Sequence, residues 1–128
     1  KQSLSKIDSK FLLKFEGLSM INPTYIGHIY ASVSFDQADI ISFSIKENYR
    51  RKGFGSMLFK KFLQKLYKKG IKSIFLEVSK QNKIAQNFYY KYKFQKVGVR
   101  PRYYKKKISR MDGYILKGLT HEIINTVS

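Results

Sequence analysis

Apolar and polar residues follow two rhythms along this chain, and the changes of rhythm mark its elements. Leu4, Ile7, Phe11, Leu12 and Phe15 recur at three- and four-residue steps, which predicts a short helix over about Leu4–Phe15 that ends near Gly17. Tyr25 to Phe35 is a β-rich run, Asp36–Asp39 reads as a turn, and Ile40–Ile45 reads as the returning strand of a hairpin. Phe54, Met57, Leu58, Phe59, Phe62, Leu63, Leu66 and Tyr67 give the strongest helical period, with lysines between them and Gly70 as its stop. Ile71–Val78 returns to a strand signature, and Ala85–Tyr92 predicts a further helix after Asn82. Phe94–Val99 and Tyr114–Leu119 predict two more strands, separated by a basic loop rich in Arg, Lys and Tyr. Strands alternating with helices imply an α/β fold, and no repeat or linker divides residues 1–128, so a single domain is expected.

Composition narrows the chemistry. The absence of cysteine excludes a disulfide scaffold, thiolate catalysis and Cys-based zinc sites, and two isolated histidines, His28 and His121, predict no metal centre. His28 lies in a strand pattern and reads as structural. No apolar run approaches the roughly 20 residues of a membrane span and no signal segment opens the chain, so a cytoplasmic protein without membrane contact is expected. The formal net charge of +18 implies attraction to polyanions. Weak, non-specific contact with nucleic acid follows from that charge, although AT-rich coding sequence would also yield this Lys-, Ile- and Asn-rich composition.

The segment Arg50-Arg51-Lys52-Gly53-Phe54-Gly55-Ser56 joins the hairpin to the strong helix. Glycines at 53 and 55 let the backbone bend tightly and bring N–H groups close to phosphate oxygens, while the helix directs its positive end to the same place. Three consecutive cations add attraction for an anion. A nucleotide-like cofactor is the expected ligand. Lys52–Phe59 also resembles the RNP1 octapeptide of RNA-recognition modules, but Ser56 stands where that motif has an aromatic and the pattern that follows is helical. Neither a Walker loop nor a three-glycine dinucleotide fingerprint is present, since Leu58 occupies the third glycine position.

Arg50-x-x-Gly53-x-Gly55 at the start of a helix resembles the signature of the GNAT (GCN5-related N-acetyltransferase) family. Leu76-Glu77-Val78, Asn82, Ala85, Phe88-Tyr89 and Phe94 continue the likeness to its RimI-type protein N-terminal acetyltransferases, as do Val97–Arg100 and Tyr103-Tyr104. The resemblance covers about residues 40–119. Lys93 replaces a usual glycine, Ser79 a common arginine, and Met111-Asp112 is what remains of an acidic pair. The N-terminal part is about one strand and one helix short of the usual domain, consistent with a truncated or divergent start.

The resemblance implies a GNAT fold, with a mixed, mainly antiparallel, splayed sheet flanked by helices, and acetyl-CoA as cosubstrate without a metal. It implies that Phe43, Ser44 and Ile45 border the pantetheine and acetyl group, that Arg50, Arg51, Lys52, Gly53, Phe54, Gly55 and Ser56 form the pyrophosphate segment, and that Asn82 contacts the cofactor farther along. Glu77 would be the base for a protein N-terminal α-amine, its pKa raised by burial in an apolar strand, and Tyr89 the acid for the departing thiolate. Tyr103 and Tyr104 would shape the peptide slot. A ribosomal protein is the expected acceptor; transfer to lysine or a small amine, and an RNA-binding module, are the alternatives.

Overall fold

In the computed structural model, the described residues are 13–21, 24–104 and 107–127, with side chains described over 16–21, 24–100 and 112–126. Six strands form one sheet: β1 (Leu13–Ile21), β2 (Tyr25–Ser34), β3 (Gln37–Ile45), β4 (Ser73–Ser79), β5 (Gln95–Tyr104) and β6 (Lys107–Leu119). Their spatial order is β1-β2-β3-β4-β6-β5. Only the β3–β4 pair is parallel; the other four pairings are antiparallel. A parallel pair needs a crossover. Helix α1 (Phe54–Lys68) supplies it, α2 (Lys83–Lys91) connects β4 to β5, and α3 (Thr120–Val127) follows β6.

Helix α1 buries Leu58, Phe59, Phe62, Leu63 and Leu66 along one face. Each such side chain contributes roughly 1.5–3 kcal/mol when fully removed from water, so packing, and not propensity, holds this Phe-rich helix. It packs with Ile29, Ala31 and Val33 of β2, Ala38 of β3, Ile74, Leu76 and Val78 of β4 and Ile123 of α3 in one core. Gly70, at φ 81°, ends the helix, and the Ile71 N–H returns to the Leu66 carbonyl at 3.1 Å.

Several sequence expectations need correction. Residues 13–15, placed in a helix from the spacing, belong to β1, whereas Leu4–Leu12 lie outside the described residues. Gly17 is not a helix stop; a Cβ there would sit 2.8 Å from the Tyr30 Cβ, so β1 needs a glycine to lie against β2. The hairpin turn is Phe35-Asp36, with Phe35 at φ 56°, and Gln37–Asp39 are already strand. Most of the expected basic loop is extended backbone of β5 and β6, paired from Arg100↔Gly113 to Tyr104↔Lys107. A pattern-based reading ends β5 too early and starts β6 too late because a run rich in charged residues looks like loop. Lys52–Phe59 enters α1 and forms no strand, which removes the RNP1 reading and its RNA-module alternative.

Candidate active site

Strands β3 and β4 are in register for three residue pairs only, Gln37↔Ser73, Ala38↔Ile74 and Asp39↔Phe75. Beyond them the strands part. A bulge at Ile41 accompanies the separation: Ala31 pairs with Ile40 but Tyr30 pairs with Ser42. Between the parted edges lies a cavity of about 390 Å³, lined by Ile40–Phe43, Leu76–Ser79, Asn82, Ala85 and Tyr89. Backbone groups on the two facing edges have no ladder partner there. They offer hydrogen bonds to an extended, amide-bearing molecule laid between the strands.

The start of α1 lies at the far end of β3, with Gly55 next to Ile45 and to Phe43, which lines the cavity. Gly53, at φ 86°, is the N-cap and provides no side-chain cap. The first helical bond is Met57 N–H to Gly53 carbonyl, 3.1 Å, so the N–H groups of Phe54, Gly55 and Ser56 have no intrahelical acceptor. A Cβ on Gly55 would lie 3.7 Å from Ile45 Cγ1 and 3.9 Å from Phe43 Cζ, ordinary contact distances. The fold therefore tolerates a side chain at 55, and the bare Cα leaves room for something outside the chain. Arg51, itself left-handed at φ 62°, and Lys52 are exposed beside these amides. The donor set fits a diphosphate. Arg50 departs from the expectation: its Nε donates to the Ile45 carbonyl at 2.7 Å and braces the end of β3. Phe54 is half-buried with its ring 5.9 Å from Tyr49, edge to face, so it anchors the loop, and Phe43 stacks on Phe59 with ring centres 5.7 Å apart.

The register assigns the cavity's side chains to two faces. Ser32↔Asp39 and Asp39↔Phe75 place Phe75, and hence Glu77, on the same sheet face as Tyr30 and His28. The bulge puts Ser42 and Ser44 on that face as well, and turns Phe43 toward the helices with Ile29. Glu77 is exposed, not buried as its apolar strand suggested, and its Oε1 lies 3.2 Å from Arg100 Nε. Gly113 of β6 lies beneath it; a Cβ there would fall 2.5 Å from Glu77 Oε2.

Tyr89 approaches from the helix side. It is 8% exposed and packed by Phe59, Phe88 and Phe94 at centre distances of 5.7, 5.3 and 5.6 Å. Burial pushes its pKa from 10.0 up to about 12, so the phenol keeps its proton. Its hydroxyl makes no hydrogen bond to a described protein atom. Asn82 caps α2, its Oδ1 accepting from Ala85 N–H at 3.0 Å, which leaves its amide N–H groups for a ligand. Buried Gln86 fixes the same turn by donating to the Ser79 and Lys80 carbonyls, both at 2.9 Å. Tyr103 and Tyr104 lie in β5 opposite Ile108 and Lys107, and their side chains are outside the described residues.

Sequence reasoning missed Gly113, Arg100 and Ser42. Each acquires its place from strand register, which leaves no local signal. Among the described residues no group of three His, Asp or Glu side chains could hold a metal.

The profile of the acetyltransferase (GNAT) family matches residues 8–94. The [ribosomal protein bS18]-alanine N-acetyltransferase of Haemophilus influenzae is 33% identical over 85 residues, which are 66% of this chain and 58% of that protein. The chain thus spans less than two thirds of the length of that relative. Among solved structures, the ribosomal-protein-S18-alanine N-acetyltransferase of Escherichia coli superposes with a TM-score of 0.75 at 23% identity, over 83% of this chain and 69% of that one. A PaiA N-acetyltransferase of Thermoplasma acidophilum in complex with coenzyme A superposes with a TM-score of 0.65 at 24% identity, over 93% and 69%. The fold is thus shared with these neighbours, and the match over residues 8–94 shows that the chain belongs to the acetyltransferase (GNAT) family.

Proposed function

We propose that this protein is an acetyl-CoA-dependent N-acetyltransferase that acts on a protein N-terminal α-amine, with a ribosomal protein as acceptor, in the cytoplasm. The observation that carries the reading is the cavity between parted β3 and β4, lined by both Glu77 and Tyr89, with the uncapped start of α1 beyond the end of β3. Family membership supports the reaction, and the name of the Haemophilus influenzae relative supports the acceptor. Among the described residues, no helix is long and apolar enough to cross a membrane.

Acetyl-CoA supplies a thioester-activated acetyl group. The N–H groups of residues 54–56, with Arg51 and Lys52, hold its pyrophosphate, and the free edge of β3 at Phe43, Ser44 and Ile45 holds the amide-bearing arm. Asn82 offers its amide N–H groups at the mouth of the cavity. Glu77 faces the open side of the sheet, where it takes a proton from the attacking amine, an ordinary α-amine being mostly protonated at neutral pH with a pKa of about 8. Tyr89 donates its proton to the leaving thiolate sulfur from the opposite side.

Donation from a phenol at about 12 to a thiol of ordinary pKa, about 8.5, is uphill by about 5 kcal/mol. The same apolar packing that raises Tyr89 disfavours a thiolate beside it, so the gap narrows inside the site. Tyr103 and Tyr104, at the end of β5, border the peptide in this proposal.

Incubation with acetyl-CoA and peptides of varied first residue, followed by mass spectrometry, tests the reading. Acetyl on the α-nitrogen of a ribosomal-protein N-terminal peptide is expected; acetyl on lysine side chains alone overturns the acceptor assignment.

A further inference from the structure

His28 carries a hydrogen-bond chain that the mechanism above leaves unused. Its Nε2 lies 2.6 Å from Ser42 Oγ, and Ser42 lines the cavity. Its Nδ1 is hydrogen-bonded to the Tyr25 hydroxyl, and Tyr25 is 42% exposed. The ring is held by stacking between Tyr25 and Tyr30, at centre distances of 6.1 and 5.8 Å. One line of polar atoms therefore runs from the cavity wall, through a half-buried imidazole, to the surface. All of it lies on the sheet face that also carries Glu77, opposite the face that carries Tyr89.

We propose that Ser42, His28 and Tyr25 form a second proton route, parallel to Glu77 and on the opposite wall of the cavity, for the proton that the acceptor amine loses. The inference rests on the acetyltransferase reading and deepens it. The relay needs the tautomer in which Nδ1–H donates to the Tyr25 oxygen and Nε2 is bare. Ser42 Oγ then accepts the amine's proton while passing its own to Nε2, and the imidazolium discharges to water at the exposed end. The amine loses one proton and water gains one; the ring ends with Nε2 protonated and Nδ1 bare, and exchange of its protons with solvent restores the starting tautomer before the next turnover.

Among the described residues no carboxylate pairs with the ring. Among the described residues the titratable groups against it are Tyr25 and Tyr30 of its own strand; β3 brings Ser44 and Ser42 beside it, and β1 brings Ser19. Ser42 lines the cavity and is the member of the set that would touch the acceptor, and His28 acts through it.

Ser42→Ala removes the hydroxyl, and His28→Phe keeps a ring between the tyrosines while deleting both nitrogens. Each should lower kcat roughly ten-fold at pH 7 and leave the KM for acetyl-CoA unchanged. The deficit should shrink by pH 9.5, where the α-amine is already neutral. The double variant should fall no further than either single one, as for parts of one unit. Independently of turnover, nitrogen-15 NMR of the unliganded protein should find His28 Nε2 bare, with a resonance that moves in Ser42→Ala. Wild-type kcat in both variants, an equal deficit at every pH, or a proton resident on Nε2 overturns the relay. Those results differ from failure of the function itself, which would show as wild-type protein that binds acetyl-CoA by calorimetry yet acetylates no peptide.

Discussion

Tyr89 and Tyr90 are consecutive residues of α2 with opposite surroundings: Tyr89 is 8% exposed and lines the cavity, whereas Tyr90 is 40% exposed and does not. Neighbours on a helix point about 100° apart, so one ring can serve the site and the other cannot. Tyr89→Phe is expected to lower turnover about a hundred-fold without weakening acetyl-CoA binding. Its melting temperature should hold, because the lost hydroxyl has no described hydrogen-bond partner to abandon. Tyr90→Phe should leave rate and melting temperature unchanged. Rates and melting curves of the pair decide it, and damage in Tyr90→Phe alone would move the acid to the wrong residue.

The raised pKa of Tyr89 also fixes an alkaline stability change. The folded phenol keeps its proton to about pH 12, while the unfolded one loses it near 10.0. Between those limits the unfolded state binds fewer protons, so stability is intact below pH 10 and falls as pH rises toward 12. Urea unfolding at pH 9 and pH 12 should show wild type losing about 2 kcal/mol more than Tyr89→Phe. Equal losses would mean that the phenol is not desolvated. Lysines and the other tyrosines titrate in both proteins and cancel.

Glu77→Gln is expected to lower kcat by at least ten-fold at pH 7, with cofactor affinity kept and the deficit shrinking above pH 9 as the amine sheds its proton unaided. A deficit constant with pH would assign Glu77 a structural role, as partner of Arg100.

Gly113→Ala tests how the carboxylate is held. A Cβ there would come within 2.5 Å of Oε2 and 2.9 Å of Cγ, so the Glu77 side chain must move. Displacement of a reacting group by about 1 Å costs on the order of a hundred-fold. Turnover should fall while acetyl-CoA affinity, measured by calorimetry, stays at the wild-type value. Full activity in this variant would show that the carboxylate needs no fixed position.

Gly53 and Gly55 should respond differently to substitution. Gly53 sits at φ 86°, so Gly53→Ala strains the helix entry by about 1 kcal/mol and lowers the melting temperature. Gly55 has ordinary helical backbone with space for a Cβ, so Gly55→Val should fold. Its side chain would occupy the pyrophosphate's place, and acetyl-CoA binding should be lost in calorimetry. Near wild-type affinity would remove the phosphate-cradle assignment.

Sequence and structure agree where a residue's environment is built by its near neighbours. The period from Phe54 to Tyr67 identifies α1 because one helix face meets one core, and the glycines at 53 and 55 identify its tight, uncapped entry because the backbone itself makes that turn. Agreement stops where a distant strand decides. Glu77 looks buried between Leu76 and Val78, yet strand alternation sends it to the open face beside Arg100, twenty-three positions on. His28 reads as structural because Ser42 becomes its partner only through the bulge. Leu13 to Phe15 continue a helical spacing, but pairing with β2 makes them strand.

The bulge at Ile41 makes the site a matter of parity. Counted back from the Phe35-Asp36 turn without the extra residue, His28 would sit opposite Phe43, a phenylalanine ring would face the acceptor side, and Ser42 would point into the core. Substitutions in Gln37–Ile41 change side chains one at a time, but deleting a single residue there inverts everything from Ser42 to Ile45 together. This short segment should therefore accept many exchanges of residue and no change of length, whereas the exposed turn before it has room to grow. An insertion scan of β3 would find the site's tolerance governed by odd and even, with chemistry a secondary concern.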